Sequence, residues 1–121
     1  MFEELVRTAG PGSALAAMAP RLDWQLQLGA DSDDWAVDIR RGIVAEVRPG
    51  PFVLPAWQTR IAAPRDEWLA FLAPVPRPGH HDIIALLRRG AIRFEGDLHP
   101  LMANLLYVKR LLASLRPALA S

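Results

Sequence analysis

The three histidines are the side chains with the most obvious capacity for chemistry: His80, His81 and His99. A metal site needs two or three ring nitrogens within about 2.1 Å of one ion. The adjacent His80 and His81 would point apart on a helix, and no Asp or Glu stands at ligand spacing from His99. The sequence therefore predicts no metal site and no cofactor, and it predicts histidines that cap helix ends or face solvent.

His99 is also a weak candidate for acid-base catalysis, because Glu95 and Asp97 precede it. A carboxylate within reach would orient and stabilise an imidazolium beside an apolar pocket. Asp97 is equally suited to cap the helix that follows, and a histidine in a first helical turn usually faces solvent. We expect a non-enzymatic protein and keep a small lyase or isomerase that uses His99 as an alternative.

Other catalytic motifs are incomplete. The run Gly10-Pro11-Gly12-Ser13 resembles the start of a dinucleotide loop, but the sequence predicts a helix before it where that motif needs a strand. The serines lack the Gly-x-Ser-x-Gly elbow of a serine hydrolase. Cysteine is absent, which excludes disulfides, thiolate metal sites and cysteine nucleophiles.

Composition favours a folded, nearly neutral protein. The chain has 121 residues, of which 51% are hydrophobic, and its 14 basic and 13 acidic residues are interspersed to give a net charge of +1. We therefore expect one domain over residues 1–121 that binds neither nucleic acid nor anionic lipid. The acidic N-terminus does not resemble a signal peptide, and no stretch approaches the roughly 20 apolar residues of a membrane span. We expect a cytoplasmic protein.

The segments that must position any site begin with helices and strands in the first half. Residues 1–20 have helical spacing broken at 10–12, which predicts a helical hairpin. From Asp23 onward, apolar and polar residues alternate as in half-buried strands. The predicted strands are residues 24–28, 35–39, 43–47 and 54–61. Their short connections favour antiparallel neighbours.

The second half predicts helices around one more strand. Pro64 suits the first turn of a helix that continues to Leu72. A second helix is expected at 81–89, a strand at 91–95, and a closing helix at 98–115 with Asp97 as N-cap. The fold class predicted from this order is α+β, with a mostly antiparallel five-stranded sheet and helices packed on one face.

Three segments resemble the sterol-carrier-protein-2-like (SCP2) family. Residues 35–42 resemble the strand and turn before that family's third strand, and residues 61–69 resemble its strand-to-helix junction. The run 90–97, Gly-Ala-Ile-Arg-Phe-Glu-Gly-Asp, leads into an apolar helix as in the same family. The three segments occur in the family's order, and the resemblance covers about residues 24–115.

The resemblance implies a binding or carrier domain. An apolar cavity between the sheet and the closing helix would hold a lipid-like small molecule. Arg60, Arg93 or His99 would contact a polar head group. The residues expected to line the cavity are Trp57, Phe71, Leu87, Phe94, Leu98, Met102, Leu105, Leu106 and Val108.

Two features depart from the family pattern. A proline-rich loop at 74–78 replaces a flexible segment, and four bulky tryptophans could narrow the cavity: Trp24, Trp35, Trp57 and Trp68. The tryptophan-rich surface or the proline loop also suggests a second reading, an auxiliary subunit that docks on a larger enzyme or forms a homodimer. The catalytic use of His99 is the third reading.

Overall fold

A computed structural model describes residues 1–54 and 56–117 of the chain. In chain order, its helices and strands are α1 (Leu5–Thr8), α2 (Ala14–Met18), β1 (Trp24–Ala30), β2 (Asp33–Arg40), β3 (Ile43–Pro49), β4 (Thr59–Ala63), α3 (Arg65–Phe71), α4 (Ile83–Arg88), β5 (Arg93–Gly96), α5 (His99–Ala103) and α6 (Leu105–Ala113). No helix in this part of the chain has the length and apolar character needed to cross a membrane.

The five strands form one mixed sheet in the order β3-β2-β1-β4-β5. β1 is antiparallel to β2, with Leu26 opposite Val37, and parallel to β4, with Leu26 opposite Thr59. The mostly antiparallel five-stranded sheet is confirmed, but β4 is not antiparallel to its neighbour β1. β4 lies on the side of β1 opposite to β2 and runs in the same direction as β1.

The alternating sequence pattern explains why one face of the sheet is apolar. Trp24, Leu26 and Leu28 of β1 are buried on the inner face, against which the helices pack. The intervening Gln25 lies on the outer face and donates a 2.7 Å hydrogen bond to Asp38 of β2. The prediction of helices on one face of the sheet is confirmed.

Tryptophans fill much of the layer between the sheet and the helices. Phe2 packs edge-on against Trp35 and Trp68, at ring-centroid distances of 5.1 and 5.0 Å. The indole N–H of Trp68 donates to the Gly29 carbonyl over 2.7 Å, so its polar atom is satisfied inside the core. Trp24 is buried in the same cluster. Three of the four tryptophans that were expected to narrow a cavity are therefore buried in the core.

The closing helix differs from the prediction, because it is broken into α5 and α6 at Asn104. The Asn104 backbone leaves the helical region at φ −122° and ψ 33°, and its side-chain amide donates to the Pro100 carbonyl over 2.9 Å. Asparagine competes with the helix for backbone groups in this way. The helix also begins one residue later than predicted: Leu98 is its N-cap, and Asp97 accepts a hydrogen bond from the His99 N–H.

Candidate functional site

Helix α6 packs closely on the interior through one side. Tyr107, Val108, Leu111 and Leu112 are buried, and they belong to the same apolar cluster as the inner side chains of β1 and β2. The Tyr107 hydroxyl donates a 2.7 Å hydrogen bond to the Gly42 carbonyl. Burial raises the pKa of Tyr107 to about 12. The helix is therefore anchored to the β2–β3 turn.

An apolar row lies on the outside of the helix pair. Leu98, Met102 and Leu106 recur every four residues and have exposed fractions of 40%, 55% and 57%. The sequence pattern assigned these residues to the inner face, whereas Tyr107 and Leu111 hold inner positions. The apolar residues of this segment cover too much of the helix circumference for periodicity alone to fix its orientation.

Helix α5 is held less firmly than α6. Leu101 is its one buried residue, whereas α6 buries four. Leu105, immediately after the break, and Phe94 of β5 are partly buried against the core. The row residues Leu98 and Met102 are on or beside α5. The weakest cover over the apolar interior is therefore α5, next to β5.

The other residues predicted to bind a ligand do not all converge on this place. Phe71 and Val108 are fully buried in the core, and Leu87 is 41% exposed on α4. Trp57 is half-buried in the 50–58 connection, where it lines a groove on the outer face of the sheet. Of the remaining predicted residues, Leu98 and Met102 are on or beside α5 and Leu106 is exposed on α6, whereas Phe94 and Leu105 are partly buried against the core.

Two of the predicted contacts for a polar head group, Arg60 and Arg93, lie on the outer face of the sheet. Arg60 pairs with Glu95 in the β4–β5 ladder and is bonded to Asp34 at 2.8 Å and to Glu95 at 3.1 Å, which occupies its guanidinium. Arg93 lines the same outer cavity as Arg60, of about 390 Å³. Strand alternation places both side chains away from α5 and α6. The structure does not support this contact for Arg60 and Arg93, and the contact suggested for His99 stays a prediction.

The groups suggested for acid-base chemistry around His99 do not assemble. His99 is exposed, and no hydrogen bond of its ring occurs among residues 1–54 and 56–117. Glu95 is occupied by Arg60 and by Arg93 at 3.3 Å. Within the same residues, no group of three His, Asp or Glu side chains is arranged to hold a metal ion.

His80, by contrast, is buried in a polar cluster that the sequence did not predict. Its Nε2 lies 2.7 Å from Glu67, which also binds Arg89 at 2.7 Å. Arg89 and His80 hold the pKa of Glu67 below its usual value. Arg116 donates to the carbonyls of Phe71, His80 and His81. The cluster joins α3, the proline-rich loop and the end of α6, and its contacts are structural.

Four of the cavities in the described part of the molecule have defined linings, and none of these four lies between the sheet and α6. Three line the outer face or edge of the sheet, with volumes of about 260, 390 and 440 Å³. The fourth, of about 340 Å³, is bordered by residues 18–22 and Asn104. The side chains of α6 that face the sheet, Tyr107, Val108, Leu111 and Leu112, belong to the buried core cluster.

Several solved structures have a similar fold. The chain superposes on a crystal structure of sterol carrier protein 2 with a TM-score of 0.75, at 15% identity over 95% of this chain and 92% of that one. The solution structure of a conserved hypothetical protein from Thermus thermophilus, possibly a sterol carrier protein, matches with a TM-score of 0.66. The identity is 14%, over 98% of this chain and 88% of that one. The structure of palmitated SCP2L2 from Aedes aegypti matches with a TM-score of 0.52, at 19% identity over 89% of this chain and 93% of that one.

The chain therefore has the SCP2 fold, and the resemblance inferred from three sequence segments is confirmed at the level of the fold. No family model matches the sequence, and no curated protein matches it.

Proposed function

We propose that the protein binds a hydrophobic or amphipathic small molecule between the inner face of the sheet and the helix pair α5–α6. The observation that carries the proposal is the exposed row Leu98, Met102 and Leu106, which borders the most weakly held cover of an apolar interior. Apolar side chains exposed in a row of this kind often mark a binding site. The fold of proteins named as sterol carriers supports the same reading.

Binding on this proposal requires α5 to move, because none of the four cavities described above opens between the sheet and the helix pair. The break at Asn104 and the glycine at 96, with φ at +84°, lie at the two ends of the segment that would swing outward. An acyl chain entering beneath α5 would replace contacts of Phe94 and Leu105. Each buried methylene contributes about 0.8 kcal/mol, so a long chain can offset the cost of displacing one buried leucine.

The test uses palmitate, followed by native mass spectrometry and hydrogen exchange. We expect one palmitate per chain and slower exchange of the amides at 97–106. Leu106→Asp should weaken uptake, because it places a charge on the apolar row that borders the proposed entry beneath α5. Leu69→Asp is the matched control, since Leu69 on α3 is also 57% exposed. Failure to retain palmitate, or equal effects of the two substitutions, would contradict the proposal.

The same row also fits the auxiliary-subunit alternative, in which a partner protein or a second copy covers it. The two functions differ in what Leu106→Asp does to the mass in solution. Light scattering that shows a dimer for the natural chain and a monomer for Leu106→Asp, with no palmitate uptake by either, would favour the docking role.

A further inference from the structure

A groove on the outer face of the sheet lies across the sheet from α5 and α6. Its floor is formed by β1 and β2 and includes Gln25, Gln27 and Ala36, and its volume is about 260 Å³. Its roof is the 50–58 connection, which contributes Phe52 and Trp57. The groove therefore has a polar floor and an apolar roof.

Gln27 on the floor has a buried side chain that lacks a partner within the described residues. The residue is 4% exposed, and its amide forms no hydrogen bond with residues 1–54 or 56–117. The neighbouring amides are engaged: Gln25 donates to Asp38, and the Gln58 oxygen accepts from the Gln25 N–H over 2.9 Å. A buried amide without a partner is costly, and native structures rarely leave one without a reason.

The Gln27 amide keeps its access to the groove. Within the described residues, every fully buried side-chain nitrogen or oxygen has a hydrogen-bond partner. Gln27 lines both this groove and the adjoining cavity of about 440 Å³, so its side chain borders open space on this face. A molecule in the groove would meet one donor and one acceptor side by side.

The roof offers apolar surface that nothing in the described residues covers. Val53 and Leu54 line the groove and are 97% and 86% exposed, the highest values among the large apolar side chains described. The Arg48 guanidinium lies over the Phe52 ring, with its central carbon 5.8 Å from the centroid of that ring. A flat molecule between roof and floor would bury part of this surface, which favours binding.

Charge on the groove walls is small. Arg48 is the one charged residue among the described side chains that line the groove, and it lies 3.6 Å from Glu46. Asp33 and Asp34 border the adjoining cavity, and they are paired with Arg65 and Arg60 at 2.7 and 2.8 Å. The walls therefore offer no unpaired charge to compensate an ionic ligand, which favours an uncharged one.

We propose that this groove is a second binding site, which takes a flat, uncharged molecule with a carboxamide or an equivalent donor-acceptor edge. The edge pairs with the Gln27 amide, and the flat body packs under Phe52 and Trp57. This site does not depend on the ligand proposed for the interior, because the sheet separates the two.

Benzamide is the probe, and nitrogen-15 NMR of the side-chain amides is the measurement. The chain has three glutamines and one asparagine, so its spectrum contains one NH₂ pair each for Gln25, Gln27, Gln58 and Asn104. We expect millimolar benzamide to shift the Gln27 pair and the Trp57 indole N–H, and to leave Asn104 unchanged. N,N-dimethylbenzamide lacks the donor and benzoate carries a charge, so both should bind roughly tenfold more weakly.

Gln27→Met removes the amide at similar volume and should weaken benzamide binding roughly tenfold. The indole N–H signals of Trp24 and Trp68 report whether the variant is folded, since both donate to fixed partners. Phe52→Ala removes part of the roof without changing the sheet and should also weaken binding. An unshifted Gln27 pair, equal binding by Gln27→Met, or shifts centred on Asn104 would overturn the proposal.

Discussion

The Tyr107 hydroxyl and the Gly42 carbonyl are 2.7 Å apart in the core, and this hydrogen bond joins α6 to the turn between β2 and β3. The two residues are 65 positions apart in the chain. Tyr107→Phe should lower the free energy of unfolding by about 1–2 kcal/mol, because it leaves a buried carbonyl without its partner. Denaturant unfolding measures the change. A variant as stable as the natural chain would show that water replaces the hydroxyl.

The same tyrosine predicts an alkaline loss of stability. Its pKa is raised from 10.0 to about 12, so the folded state favours the neutral phenol. The stabilisation is complete below pH 10 and is lost as the pH rises to about 12, by roughly 2–3 kcal/mol. Tyr107→Phe should lack this loss. Parallel pH curves for the two proteins would contradict the assignment.

Glycine at position 42 should be far less replaceable than glycine at position 90. Both have positive φ, at +77° and +69°, so alanine at either site costs about 1 kcal/mol in backbone strain. A Cβ at Gly42 would also lie 2.6 Å from the Ala19 carbonyl oxygen, whereas one at Gly90 meets nothing within 4 Å. We expect Gly42→Ala to lose roughly 3 kcal/mol or more, and Gly90→Ala about 1. Equal losses in thermal unfolding would be inconsistent with this packing.

Glu67 should stabilise the protein in a pH-dependent way. Its pKa is lowered chiefly by the hydrogen bond from Arg89, and also by His80. A lowered pKa gives stability above the ordinary value of 4.5 that is lost as the pH falls below it. Glu67→Gln should cost about 1 kcal/mol at neutral pH and nothing in acid.

Asp66→Asn is the matched control for this prediction. Asp66 and Glu67 both lie in the first turn of α3, so the two substitutions change the helix-dipole interaction equally. Urea unfolding at pH 7 and in acid gives both quantities. A Glu67→Gln deficit that is independent of pH would contradict the ion-pair origin.

Arg116 should contribute more than an ordinary surface arginine. It donates to three backbone carbonyls, and its guanidinium lies 4.5 Å from the Phe71 ring centroid. Arg116→Met should therefore lower the free energy of unfolding by about 2 kcal/mol. Arg110→Met is the control, because Arg110 has one weak contact with the Met18 sulfur at 4.0 Å. The comparison fails if the two variants unfold at the same urea concentration.

The strands were predictable from sequence because alternation reports directly on which side chains are buried. The predicted strand at 24–28 lies within β1, and Trp24, Leu26 and Leu28 are buried as predicted. Alternation contains no information about the partner strand, so the parallel pairing of β4 with β1 was not predicted. Nor does it report what covers the outer face: Gln27 alternates with the buried apolar residues of β1, yet it is 4% exposed and lines a groove with residues 51–54, 56 and 57.

The site was less predictable than the fold because it depends on contacts distant in sequence. The orientation of α5 and α6 is fixed by the Tyr107–Gly42 hydrogen bond and by the break at Asn104. Helical periodicity in the sequence predicts neither of them. The carboxylate nearest to His80 in the sequence is Asp82, but Asp82 caps α4, and His80 pairs with a residue from another element. Its partner Glu67 precedes it by 13 residues, across the proline-rich loop.

The parallel pairing of β4 with β1 holds together two parts of the chain that one exposed connection links. The 50–58 connection is the sole peptide link between the β1–β3 meander and everything after it, and its tip at Val53 and Leu54 stands clear of the body. The two pieces on either side are joined by the β1–β4 ladder and by the Trp24–Thr59 hydrogen bond. Residues 1–53 and 54–121, produced as separate polypeptides, should therefore reassociate into the native sheet and serve as a split-protein pair.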